Sequence, residues 1–162
     1  MWADLGCGDG VFTQGLLEAT GRGTRVTGLD RDPMALRRLL DWAQSARLSE
    51  NVSAVLGDFR RTLPLRGLSG LLIANGMHFV PDGTKEGVIR QLASAIVPGG
   101  QLILVEYNAG SGNPAVPHPL RSAGWVDVVQ RAGLMRVSLA ARTPSSFLGE
   151  MVAIVGETPP SN

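Results

Sequence analysis

The chain has 162 residues, one cysteine and a formal charge of +1, from 15 Lys and Arg against 14 Asp and Glu; it is long enough to bury a core without disulfides or a structural metal. Hydrophobic residues at 44% and charged residues at 18% exclude the composition of a disordered chain. The near-neutral charge gives no electrostatic case for nucleic acid or a membrane surface, no apolar run approaches the roughly 20 residues of a membrane helix, and Cys7 alone, with no signal-peptide pattern before it, points to a reducing, cytoplasmic interior.

The first predicted strand is "WADL", which runs into a glycine-rich turn and then a helix. "TRVTGLD", ending at Asp30, is the second strand. Asp32 followed by Pro33 is an N-cap followed by proline at the first helical position, and Leu36, Leu39, Leu40 and Ala43 give that helix one apolar face. "NVSAVLGD", ending at Asp58, and "GLLIAN", ending at Asn75, are the third and fourth strands. Ile89, Leu92, Ala93 and Ile96 repeat the helical spacing, and Pro98-Gly99-Gly100 is expected to end that helix and turn the chain into a fifth strand, "QLILVEY", ending at Tyr107.

"NAGSGNPAVPHP" carries too much Gly, Pro and Asn for an element and reads as a surface loop. Trp125, Val128, Val129 and Ala132 form the apolar face of a further helix, with Gly133 at the position of a left-handed cap. "LMRVSLAAR" and "FLGEMVAIVG" are separated by "TPSS", too short for a crossover helix, so they pair antiparallel. The pattern is α/β: a doubly wound, Rossmann-like, mainly parallel sheet in one domain over residues 1–157, with residues 158–162 a frayed tail.

"ADLGCGDGVF" puts Gly6, Gly8 and Gly10 at alternate positions after a strand, a way to bring backbone N–H groups and a helix N-terminus against a small ligand. It is also compatible with a tight turn alone. A dinucleotide fingerprint, G-x-G-x-x-G, would need glycine at 11, where Val11 stands.

Asp4-Leu5-Gly6-Cys7-Gly8-Asp9-Gly10 resembles motif I of the class I S-adenosylmethionine (SAM)-dependent methyltransferases, and the resemblance runs along nearly the whole chain. It implies a seven-stranded sheet with an antiparallel last strand and SAM as cofactor. Gly6, Gly8 and Gly10 would let backbone approach the methionine part, with Asp4 facing its ammonium group. Asp30 would bind both ribose hydroxyls. Asp58 and the backbone of Phe59 would take the adenine, and Asn75 would lie where methyl group and acceptor meet. Each of these residues lies at the C-terminal end of a predicted strand, the ligand edge of open α/β sheets. The family's N-terminal helices are expected to be absent, because nothing precedes Met1. The site is then expected to be open, covered in part by "NAGSGNPAVPHP" and by a second copy in a homodimer.

Methyl transfer from a sulfonium needs chiefly alignment. His78, just after the fourth strand, is the candidate base, or a histidine packed beside Phe79. His118 is a loop or surface residue. Glu106 and Tyr107 either line an acceptor pocket or close a strand. Cys7 is a small residue that fits the turn, and no Cys/His cluster has metal-ligand spacing. After Asn75 come Gly76 and Met77, not the Pro-Pro-aromatic run of enzymes that methylate base or glutamine amino groups, which leaves a small-molecule O-, N- or C-acceptor. The expected function is methyl transfer to a small molecule. The alternatives are a non-catalytic SAM-binding domain acting through a partner, and an NAD(P)-binding oxidoreductase that shares the Asp30 logic.

Overall fold

Strands that are apolar on both faces must be covered on both, which a parallel sheet achieves by alternating strand with helix. The computed structural model describes residues 1–21, 23–61 and 63–161. It has strands β1 (Trp2–Leu5), β2 (Val26–Asp30), β3 (Val52–Leu56), β4 (Leu68–Ala74), β5 (Ile96–Asn108), β6 (Met135–Pro144) and β7 (Glu150–Glu157). The helices are α1 (Val11–Thr20), α2 (Pro33–Ser45), α3 (Asp82–Ala93) and α4 (Ser122–Arg131), with a 3₁₀ turn at Met77–Phe79.

One seven-stranded sheet has the order β3-β2-β1-β4-β5-β7-β6. β1 to β5 are parallel, and β7 runs antiparallel to both β5 and β6. Side-chain alternation divides the interior in two. Leu16, Leu17, Val26, Leu36 and Leu39 pack on the α1–α2 side, while Leu5, Leu71, Ile73, Ile89 and Trp125 pack under α3 and α4. Lys85 of α3 is fully buried: its Nζ donates to the Val80 carbonyl and Asp82 Oδ1, each at 2.6 Å, and lies 5.4 Å from the centre of the Trp125 ring. The buried ammonium is thus bonded and faces a π surface, which offsets its desolvation.

Several local expectations shift. Asp32 does cap α2, accepting from the Met34 N–H at 2.8 Å, but Leu40 is 43% exposed, because a stripe of Leu36, Leu39 and Ala43 already fills the contact with the sheet. Ile96 lies in β5, not in the helix before it; Pro98, Gly99 and Gly100 fall within β5 at a register shift, where Leu68 pairs with Ile96 but Gly70 with Gln101. β3 ends at Leu56 and β4 at Ala74, so Asp58 and Asn75 stand in the loops just past their strands. Thr158, in the expected tail, is buried and its N–H donates to the Gly100 carbonyl at 2.9 Å; Asn162 lies outside the described residues.

Candidate functional site

Parallel strands deliver their C-terminal ends to one edge, and the order reverses between β1 and β4, leaving a crevice there. The turn after β1 crosses this edge. Gly8 and Gly10 have φ of +51° and +90°, values a side chain resists, and a Cβ on Gly10 would also collide with Leu39. Asp30 ties the turn to β2. Its Oδ2 accepts from the Gly8 N–H and its Oδ1 from the Asp32 N–H, both at 2.9 Å, and each oxygen keeps a lone pair for a further donor.

A cavity of about 330 Å³ opens beside this turn, within the range of small-ligand sites. Gly6, Asp30, Asp58, Phe59 and Asn75 line it together, with Gly76. Gly8, Gly10 and Asp4 do not line it. Asp4 alternates toward the helix layer, 1% exposed, and accepts from the Thr13 hydroxyl at 2.6 Å. Burial pushes its carboxyl up to about 6; the Thr13 bond opposes the shift and the nearby Asp30 charge adds to it. Burial likewise pushes the Cys7 thiol up, so it remains protonated.

Asp58 is engaged rather than free. Arg60 Nε lies 2.9 and 3.1 Å from its two oxygens and Nη2 lies 2.6 Å from Oδ2, while the Arg60 N–H also donates to Oδ1. This hydrogen bonding holds the Asp58 carboxyl down at about 2. Arg31 and Arg60 join the cavity wall; the sequence signal for them was adjacency to Asp30 and Asp58. Replacing Arg60 with Ala is expected to return the Asp58 carboxyl upward toward 3.8, read by carbon-13 NMR titration; an unmoved midpoint would count against the bidentate pair. The Phe59 ring turns inward, within contact of where a Cβ on Gly6 or Gly76 would stand.

Asn75 has φ +53°, a left-handed conformation that asparagine tolerates better than most residues. Its Oδ1 is the one buried side-chain oxygen or nitrogen without a hydrogen-bond partner among the described residues. An unpaired buried acceptor costs about 1 to 3 kcal/mol; the residue lines the cavity, but this oxygen is itself closed to solvent.

The sequence did not couple His78 to Glu106. Neighbouring parallel strands β4 and β5 end side by side, and the 3₁₀ turn after β4 sets His78 over the end of β5. His78 Nδ1 lies 2.8 Å from Glu106 Oε2, and Glu106 Oε1 accepts from the Met77 N–H at 2.6 Å and the His78 N–H at 3.3 Å. His78 is 3% exposed and Glu106 fully buried. With Nδ1–H donating to the carboxylate, Nε2 carries the lone pair, and no group among the described residues bonds it. A carboxylate inside the apolar run "LILVEY" was the available signal. His118 reaches this turn through its backbone, its N–H donating to the His78 carbonyl at 3.0 Å. The loop around it does not line the cavity.

Residues 3–100 match a protein family described as "Methyltransferase domain". The cypemycin N-terminal methyltransferase of Streptomyces sp is 32% identical over 137 residues, 80% of this chain and 53% of that protein. The carboxy-S-adenosyl-L-methionine synthase of Pseudomonas aeruginosa is 32% identical over 108 residues, 64% of this chain and 44% of that protein. Among solved structures, the O-methyltransferase NcsB1 from neocarzinostatin biosynthesis, in complex with SAM and 2-hydroxy-5-methyl naphthoic acid, superposes with a TM-score of 0.74 at 25% identity, covering 98% of this chain and 48% of that one. The SAM-dependent methyltransferase SibL gives 0.77 at 23% identity over 98% of this chain and 50% of its own. This chain therefore spans about half the length of the relatives it matches.

Proposed function

This chain belongs to the methyltransferase domain family and has the class I SAM-dependent methyltransferase fold, and on that premise we propose that it methylates a hydroxyl group of a small molecule with SAM as cofactor. The observation that carries the reading is the buried His78–Glu106 pair, which does not itself line the cavity but lies directly behind Phe79, a residue of the wall it shares with Asp30, Asp58 and Asn75. SAM supplies an electrophilic methyl group on a sulfonium and leaves as the neutral thioether. The donor set fits it. Asp30 retains acceptor capacity for the ribose hydroxyls, and Asp4 and Asp30 set a negative field behind the glycine turn that favours a cation. The proton given up by the acceptor oxygen goes to His78 Nε2, while Glu106 fixes the ring's tautomer and stabilises the imidazolium. Glu106 is a positioning residue.

The purine amine and Arg60 compete for Asp58 in this reading. The single unpaired cysteine, Cys7, supports a reducing, cytoplasmic setting; no helix among the described residues is long and apolar enough to cross a membrane. The test is calorimetric titration with SAM, then mass-spectrometric detection of methylated product from a panel of hydroxyl and amine acceptors. Absence of SAM binding would overturn the assignment.

Replacing Asp30 with Ala removes the hydrogen bond that holds the glycine turn and the one to the Asp32 N–H together with the ribose acceptors, each charge-assisted bond worth about 1.5 to 3 kcal/mol. SAM affinity is expected to fall at least about tenfold, and the calorimetric titration measures it. Unchanged affinity would remove Asp30 from the ribose site.

A further inference from the structure

His78 and Glu106 both lie beyond the last rung that joins β4 to β5. The parallel ladder ends with Ala74 opposite Val105, and the Asn75 N–H donates to the Val105 carbonyl at 2.9 Å. Residues two apart in a strand present their carbonyls to the same side, so the Tyr107 carbonyl points as that of Val105 does, past the end of β4. There the indole Nε1–H of Trp125, a fully buried residue of α4, donates to it at 3.0 Å. The turn that carries His78 has a bond of the same kind. The carbonyl of Val80, which closes that turn, accepts from Lys85 Nζ at 2.6 Å, and this ammonium lies 5.4 Å from the centre of the Trp125 ring. Lys85 and Trp125 thus join the backbone two residues after His78 to the backbone one residue after Glu106.

Stability gives little reason for a lysine at position 85. The carboxylate it bonds, Asp82, is 60% exposed, and the ammonium stands in the first turn of α3, the end whose dipole repels a cation. Replacing a buried ion by an apolar side chain of its volume is often neutral or stabilising. An apolar side chain, however, would not hold the Val80 carbonyl against the tryptophan that holds Tyr107.

We propose that Lys85 and Trp125 are positioning residues for the His78–Glu106 pair: together they set the 2.8 Å separation of His78 Nδ1 from Glu106 Oε2 and so keep Nε2 as the basic nitrogen. This rests on the methyl-transfer reading of the site. Neither side chain lines the cavity, so the clamp acts on the base and leaves the cofactor's wall alone.

Two variants of the full chain test it, assayed well below their melting temperatures. Lys85→Met keeps the bulk of the stem and removes the ammonium; Trp125→Phe keeps a buried ring and removes the N–H. Each is expected to lower kcat about tenfold to 10²-fold, the effect of a displacement near 1 Å, with KM and SAM affinity unchanged. Nitrogen-15 NMR of the His78 imidazole, identified by its loss in His78→Asn, is expected to show one tautomer in the parent, protonated on Nδ1, and a mixture of both tautomers in each variant. In the His78→Asn background neither substitution lowers turnover further, because the group it positions is gone. Trp125→Phe, the milder change, carries the test should Lys85→Met not fold. Unchanged kcat, a single Nδ1–H tautomer retained in the variants, or a further loss of turnover in the His78→Asn background would overturn the proposal. The imidazole spectrum needs no acceptor, so it decides the clamp even where no methylated product forms, the outcome that sinks the methyl-transfer reading instead.

Discussion

Replacing His78 with Asn is expected to lower the turnover of a hydroxyl acceptor by about 10²- to 10⁴-fold and to leave SAM affinity unchanged. The asparagine amide keeps an N–H that can point at Glu106, whose carboxylate otherwise loses the donor now 2.8 Å away, but it has no second nitrogen to take a proton. The fold is spared for the same reason, since the Met77 and His78 N–H groups still hold Glu106 Oε1. Activity should recover as the pH is raised toward the acceptor's own pKa, where the hydroxyl ionises without help. A packing defect would not respond in that way, so a pH–rate profile beside calorimetric SAM titration separates the two. Wild-type turnover in His78→Asn at pH 7 would remove His78 from the chemistry.

The second large effect is on stability. Carrying the Asp4 carboxyl from 3.8 to about 6 corresponds to about 3 kcal/mol. Its sign follows from which state holds the proton. Below pH 4 the group is protonated folded or unfolded, and burial costs no charge. Between pH 4 and pH 6 the unfolded chain ionises first, so the native state loses ground as the pH rises; above pH 6 the whole penalty stands. Asn at position 4 cannot ionise, yet its oxygen still accepts from Thr13. Relative to the parent chain, Asp4→Asn should therefore gain about 3 kcal/mol between pH 4 and pH 8, or roughly 6 to 12 °C in melting temperature. The measurement is denaturant unfolding of both proteins, without cofactor, across that pH range. Parallel stability curves would show that Asp4 does not titrate there.

What could be read from the residues is what has a local cause. Alternation of apolar runs with helical spacing located the strands and helices, and the four-residue "TPSS" dictated the antiparallel pair. Proline and glycine at 98–100 suggested a helix stop, but the ladder to β4 accommodates them at a register shift, a contact between distant segments. Asp4 was expected at the ligand because it precedes the glycines, yet strand pleating turns alternate residues to opposite faces and directs it to Thr13. Asp30 and Asn75 needed only their place at or just past strand ends. Glu106 needed a partner 28 positions away in the turn that follows the neighbouring strand, and Arg60's occupation of Asp58 depends on side-chain rotamers. Neither leaves a periodic trace in the sequence.

The central strand also orders the assembly of the sheet in time. β1 is flanked by β2, which begins at Val26, and by β4, whose Gly70 stands opposite Trp2. The first pairing closes a short loop; the second must wait for a segment almost three times farther along. Closing the longer loop costs only about 0.6 kcal/mol per doubling of its length, but non-local parallel pairing is slow. Until β4 docks, the half-sheet β3-β2-β1 presents an open edge made by Trp2, Ala3 and Leu5, an invitation to wrong partners during synthesis. Refolding is therefore expected to be limited by the β1–β4 zipper, and the crevice that separates these two strands at their C-terminal ends is the last part of the molecule to acquire its shape.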